Sequence, residues 1–245
     1  MIDLSGKVAI VTGGGRGIGR ATALCLARQG ASVAVVARSE SCVRVRDEIL
    51  ASGGSAIAVS CDIAAEGAAD QIVNATLEAF GQIDILVNNA GITKDRSFLK
   101  MSEAEWDVVL DTNLKSVFLL TQKAAPHIIA RGSGRIVNIA SAAGQKGNFG
   151  QANYSASKGG IIALTKTLSI ELGRKNVTVN AVSPGATMTD MLAAVPADAL
   201  AAMCEKIPLR RVGTPEEVAA AVVFLASDEA SFITGNVINV NGGVL

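Results

Sequence analysis

The chain has 245 residues, 49% hydrophobic and 18% charged, and its 22 basic and 22 acidic residues leave no formal net charge. That composition supports a sizeable core, excludes disorder as the main state and lacks the basic footprint of a nucleic-acid binder. Four scattered cysteines (Cys25, Cys42, Cys61, Cys204) without a CxxC pair argue against a metal site or a disulfide framework and for a reducing, cytoplasmic setting.

The apolar run at 8–11 is too short for a signal or membrane segment. It belongs to the first predicted strand, 7–12, which runs into Thr12-Gly13-Gly14-Gly15-Arg16-Gly17-Ile18-Gly19 ahead of a helix expected over 18–29. Glycines there permit positive φ and close approach of backbone to ligand, and the helix start offers unpaired N–H groups and a positive dipole end to a pyrophosphate. The spacing is TGxxxGxG rather than GxGxxG, with Gly13, Gly17 and Gly19 at the key positions. An ordinary tight turn is the alternative, but the strand-to-helix context favours dinucleotide binding. The second strand, 32–37, ends at Ala37-Arg38. An acid at this tip would take a ribose 2′-hydroxyl, whereas an arginine accommodates a 2′-phosphate. Arg38, with Arg16 in the glycine loop, therefore favours NADP over NAD.

A helix at 41–51, a strand at 55–60, a helix at 66–80 and a strand at 84–88 follow. Next come a long helical pattern at 103–131, a strand at 134–140, a helix at 152–173, a strand at 177–182, a helix at 215–227 and a strand at 236–240. Apolar strands alternating with helices are those of a parallel sheet buried on both faces. No linker or repeat interrupts them. The pattern predicts a single α/β domain over 1–245, a doubly wound seven-stranded parallel sheet with helices on both faces. The segment 184–213, with Pro184, Pro196, Pro208 and an amphipathic piece at 193–204, is read as a substrate lid over 186–212, against the alternative of a surface helix pair.

In helix 152–173, Tyr154, the one tyrosine of the chain, lies four residues before Lys158, so phenol and ammonium share a helix face. The cation is expected to lower the phenol pKa from about 10. Ionising that phenol at pH 7 costs roughly 4 kcal/mol, and a cation about 4 Å away at an effective dielectric near 20 interacts with comparable strength. The same spacing also occurs on solvated helix faces. Ser141 follows strand 134–140, at the carboxyl edge of the sheet, where its hydroxyl can orient a substrate carbonyl. A serine nucleophile is disfavoured because the one histidine, His127, follows Pro126 in a helix and reads as structural. Asn113 interrupts an apolar helical run, as a local bend or a satisfied buried amide.

The motif at 12–19, Asn88-Asn89-Ala90-Gly91, Ser141, Tyr154-x-x-x-Lys158 and Pro184-Gly185 have the order and spacing of the short-chain dehydrogenase/reductase family, which the chain resembles over nearly its whole length. The segments 91–95, 147–154, 233–235 and 240–243 are similar to the family's bacterial 3-oxoacyl-(acyl-carrier-protein) reductase branch. The resemblance implies a Rossmann domain and a catalytic tetrad of Asn113, Ser141, Tyr154 and Lys158, with Asn113 holding a relay water. It implies cofactor contacts at Gly13, Arg16, Gly17, Ile18, Gly19, Arg38, Asp62, Ile63, Asn89, Gly91, Tyr154, Lys158, Pro184, Gly185, Thr187 and Thr189. Thr187 stands where the reductases usually have isoleucine, a change a backbone contact would survive.

The implied activity is NADPH-dependent reduction of a 3-oxoacyl thioester, with Tyr154 protonating the developing alkoxide. Arg131, Arg135, Arg174 and Lys175 are the candidates for docking an acidic acyl carrier protein, although Gly132 occupies the branch's first docking position. Acetoacetyl-CoA or a small ketone is the alternative substrate. A non-catalytic dinucleotide-binding protein is the alternative class, opposed by the complete tetrad. The resemblance also implies a homotetramer built on helices 103–131 and 152–173 and the C-terminal segments, with no nucleic-acid or membrane partner.

Overall fold

A computed structural model of the protein describes residues 2–189, 192 and 196–245. The first half comprises β1 (Val8–Thr12), α1 (Gly17–Arg28), β2 (Ser32–Ala37), α2 (Ser41–Ala51), β3 (Ser55–Ser60), α3 (Ala68–Phe80) and β4 (Ile85–Asn88). The second half comprises α4 (Glu103–Leu110), α5 (Ser116–Ala130), β5 (Gly134–Ile139), α6 (Ala142–Lys146), α7 (Ala152–Gly173), β6 (Val177–Pro184), α8 (Ala197–Glu205), α9 (Pro215–Ala226) and β7 (Val237–Val240). Among the described residues seven strands pair in parallel, in the order β3-β2-β1-β4-β5-β6-β7. This is a Rossmann-like α/β sheet. The strand order reverses direction between β1 and β4, so a crevice opens there at the carboxyl edge.

Successive side chains of a strand point to opposite faces, and the core divides accordingly. Ala9, Val11, Val33, Val35, Ile85 and Val87 face α1, α2 and α9, meeting Leu26, Val45, Ile49, Val218 and Val222. Ile10, Ala34, Val36, Leu86 and Ile136 face the other layer, with Ile72 of α3 and Leu120, Ala124 and Ile128 of α5. In that second layer Asn88 Nδ2 donates to Thr121 Oγ1 (3.1 Å) and to Asn138 Oδ1 (2.9 Å), and Asn138 Nδ2 donates to Thr165 Oγ1 (2.9 Å). These fully buried amides tie α5 and α7 to the centre of the sheet. Each has partners, so burial carries little penalty.

One expectation needs correction, and one element is new. The helix expected over 103–131 is two helices joined by one π turn at Asp111–Lys115, and the first is opened by a Ser102/Glu105 capping box. The five-residue α6 was not anticipated, being too short to register as a 3.6-residue pattern. In the lid segment 186–212, residues 190, 191 and 193–195 lie outside the described residues, as does the start of the amphipathic piece at 193–204. Its flanks are pinned: Thr187 bridges Gly213, and Leu209 N donates to Gly242 O at 3.2 Å.

Candidate active site

The crevice is a groove of about 1140 Å³ lined by the glycine loop, the tip of β2, Asp62 and Ile63 after β3, Asn89 to Ile92 after β4, and Met188 and Thr189. Its floor is built by close approach. A Cβ on Gly19 would fall on the Gly13 carbonyl oxygen, one on Gly15 would fall on Ser41 Oγ, and one on Gly13 would lie 2.8 Å from Asn89 Nδ2. Asn89 holds the loop in place, its Nδ2 donating to Thr12 O (2.9 Å) and Gly13 O (3.2 Å), while Thr12 Oγ1 accepts from Asn89 N and Ala90 N at 3.0 Å. The start of α1 has no side-chain cap and no acidic residue in its first turn, in contrast to the capping boxes of α4 and α9. Unpaired N–H groups and a positive dipole end thus face the groove.

At the β2 end, Arg16, Arg38 and Arg44 line the groove with exposed guanidinium groups, beside Ser39 and Ser41. Arg38 also makes a 3.9 Å ion pair with Asp62, a surface contact worth little and easily exchanged. The cradle and this cluster of forked donors fit a dinucleotide carrying a 2′-phosphate.

The far end of the groove reaches Gly91, Ile92 and Thr112. A Cβ on Gly91 would lie 3.3 Å from Asn113 Oδ1 and 3.6 Å from Lys158 Nζ, so these two predicted residues stand just behind the groove's end. Ser141 caps α6, accepting from Ala143 N at 3.2 Å, and its hydroxyl lies near enough to the Tyr154 phenol to pull the phenol's pKa down. Lys158 is 4% exposed and donates to Ile139 O at 2.6 Å, with Nζ 5.8 Å from the Tyr154 ring centroid. Burial lowers the Lys158 pKa to about 8.

The Tyr154 pKa runs opposite to expectation. Burial pushes it up, the Ser141 hydroxyl pulls it down, and the charge of Asp95 raises it further. Desolvation of the phenolate is the largest of these effects and outweighs the Ser141 contribution. Asn113, fully buried in the π turn, proves to be both a helix irregularity and a satisfied amide. Its Oδ1 accepts from Ile92 N (2.8 Å), and its Nδ2 donates to Ile92 O (3.0 Å) and Ser157 Oγ (3.2 Å).

Of the other predicted cofactor residues, Gly13, Arg16, Gly17, Ile18, Gly19, Arg38, Asp62, Ile63, Asn89, Gly91 and Thr189 line the groove, whereas Pro184, Gly185 and Thr187 do not. Pro184 ends β6 opposite Val240, Gly185 packs where a Cβ would meet Asn241 Cα at 2.8 Å, and the buried Thr187 donates to Gly185 O at 3.2 Å. Sequence reasoning missed Arg44 and Ser41, whose signal was only their place in the first turn of the helix after the β2 tip. It also missed Asn153, Ser157 and Gly144, which act through packing and leave no local signal.

Of two docking candidates, one is committed inside the fold and the other is exposed but already paired. Arg135 is buried and bonded to Ser227 O, Gly134 O and Asp228 (2.9 Å), and Arg131 pairs with buried Asp84 at 3.1 Å. Among the described residues Arg174 and Lys175 are exposed and outside any ion pair.

A Rossmann sheet whose dinucleotide groove ends at a Ser-Tyr-Lys set defines a nicotinamide-dependent oxidoreductase. The family model described as enoyl-(acyl carrier protein) reductase matches residues 13–245. The chain is 46% identical over 240 residues to a 3-oxoacyl-(acyl-carrier-protein) reductase FabG of Staphylococcus epidermidis, covering 97% of this chain and 98% of that one. It is 48% identical over 248 residues to the 3-oxoacyl-(acyl-carrier-protein) reductase of Synechocystis, covering 100% and 99%. To the FabG reductase of Aquifex aeolicus it is 47% identical over 245 residues, covering 99% of each. The chain belongs to the short-chain dehydrogenase/reductase family, and NADPH is its hydride donor.

Proposed function

We propose that the protein reduces the ketone of a 3-oxoacyl thioester, carried on an acyl carrier protein, to the 3-hydroxyacyl product. The observation that carries this is the Ser141–Tyr154 hydroxyl pair at the groove's end, beside buried Lys158. When bound, the dinucleotide supplies a hydride to the ketone carbon. Ser141 hydrogen-bonds the carbonyl oxygen and orients it, and Tyr154 transfers its phenolic proton to that oxygen as negative charge develops. The raised Tyr154 pKa suits this direction, because the neutral phenol is the acid required. Lys158, cationic below pH about 8, stabilises the phenolate left behind. Both amide hydrogens of Asn113 are already donated, so a relay water can be held only through the second lone pair of Oδ1 or the Asn113 backbone carbonyl.

Arg174 and Lys175 remain as carrier-docking candidates, and the segment 186–212 as the lid. A homotetramer is supported by exposed Trp106, Val108, Phe118 and Leu119 on α4 and α5, and by Ile170, Phe232 and Leu245. Cytoplasmic residence fits four free cysteines, and no helix among the described residues is long and apolar enough to cross a membrane. The test is kcat/KM for acetoacetyl-carrier thioester, acetoacetyl-CoA, crotonyl-CoA and simple ketones, each with NADPH and NADH. The reading expects the carrier ketone with NADPH to be fastest. A preference for crotonyl-CoA, as the family model's description would have it, overturns it.

A further inference from the structure

Asn153, immediately before Tyr154, is fully buried, and its side chain reaches three elements at once. Its Oδ1 accepts from Tyr154 N at 2.7 Å, and its Nδ2 donates to Lys94 O at 3.1 Å and to Glu105 O, in α4, at 2.8 Å. Tyr154 N–H lies in the first turn of α7, where an N–H has no intrahelical acceptor, and the N-cap residue Gln151 offers no side-chain cap. Asn153 supplies that acceptor. On the other side of the same residue, Ser157 Oγ donates to Tyr154 O at 2.7 Å and accepts from Asn113. Both peptide groups of Tyr154 are therefore gripped by buried side chains.

Those grips share a single anchor. Asn113 holds both polar groups of Ile92, Asn153 holds Lys94 O, Gln151 Nε2 donates to Asp95 Oδ2 at 2.9 Å, and Arg96 N donates to Gly150 O at 2.8 Å. Residues 94, 95 and 96 thus run antiparallel to 153, 151 and 150, and the loop leaving the groove is laced to the start of the catalytic helix. We propose that Asn153 is a positioning residue: it sets the backbone of Tyr154 against the 92–96 loop, so that phenol and groove end keep one geometry. A buried amide that only contributed stability would have no need of the Tyr154 N–H. Misplacement on the order of 1 Å costs as much as about 100-fold in rate.

The inference rests on the ketone-reductase reading, so wild-type turnover is measured first, on acetoacetyl-CoA with NADPH. Asn153→Ala is expected to lower kcat by about 10- to 100-fold while the NADPH Kd, read by cofactor fluorescence, stays within about two-fold. If Asn153 acts through Tyr154, then adding Asn153→Ala to Tyr154→Phe lowers the residual turnover by less than about two-fold, because coupled residues are not additive. A kcat for Asn153→Ala within two-fold of wild type overturns the proposal. So does an equal loss in the Tyr154→Phe background, which a merely structural role would give. Should Asn153→Ala not fold, Gln151→Ala, at a partly exposed position in the same lacing, decides: a several-fold loss of kcat supports the proposal and none refutes it. An inactive wild type would instead overturn the ketone-reductase reading, and this inference with it.

Discussion

Gly144 and Gly159 lie back to back where α6 crosses α7. A Cβ on Gly144 would stand 2.6 Å from the Lys158 carbonyl carbon and 2.8 Å from Gly159 N. Both neighbours are helix backbone, which cannot step aside as a side-chain tip can. An ordinary contact of about 3.4 Å therefore requires α6 to move away from α7 by about 0.8 Å. Ser141 caps α6 and Tyr154 rides on α7, so the same movement opens the Ser141–Tyr154 hydroxyl pair. Gly144→Ala is expected to cost about 1–3 kcal/mol of stability and to lower kcat by about 10- to 100-fold, with NADPH affinity unchanged because Gly144 does not line the groove. Gly173→Ala, in open space at the end of α7, is the control and should leave kcat alone while stabilising by up to about 1 kcal/mol. The assay is steady-state reduction of acetoacetyl-CoA beside urea denaturation. Wild-type kcat in Gly144→Ala, with stability lost as expected, would refute the argument that this close approach sets the Ser141–Tyr154 geometry.

Arg38→Ala should weaken NADPH about 10- to 100-fold, the worth of hydrogen bonds to a charged group, and leave NADH within two-fold; fluorescence titration with both dinucleotides checks this. Stability should hold, since the Arg38–Asp62 pair is exposed. The Lys158 pKa of about 8 predicts that kcat/KM for reduction falls above that pH as the ammonium is lost. It also predicts a stability trend. The unfolded chain binds this proton up to the ordinary 10.5, so stability rises with pH between about 8 and 10.5, by at most about 3 kcal/mol. Denaturation at pH 7.5 and pH 10 measures that rise, and Lys158→Met should lack it.

Strands β1 to β7 were legible as short apolar runs between helical stretches, and burial on both faces demands such residues in all but the partly exposed edge strands β3 and β7. The glycine loop was legible because Gly13, Gly17 and Gly19 answer a local backbone requirement, positive φ at the first two and close approach at the third. Where function depends on packing between distant segments, the sequence is mute. Asn153 looks like any polar residue at a helix start until Lys94 and Glu105 are brought beside it. Arg135 looked like a surface arginine until Asp228 closed over it. The direction of the Tyr154 pKa was misjudged for the same reason: the Lys158 spacing is written in the chain, but the burial that pushes that pKa up belongs to the fold.

The most direct test of Tyr154 as proton donor is turnover and cofactor binding measured together in Tyr154→Phe. That variant removes the phenolic proton and little else. The account predicts loss of nearly all NADPH-dependent acetoacetyl-CoA reduction, at least about 100-fold, the order of a general-acid contribution, with NADPH affinity within two-fold of wild type. Wild-type turnover in Tyr154→Phe would contradict it.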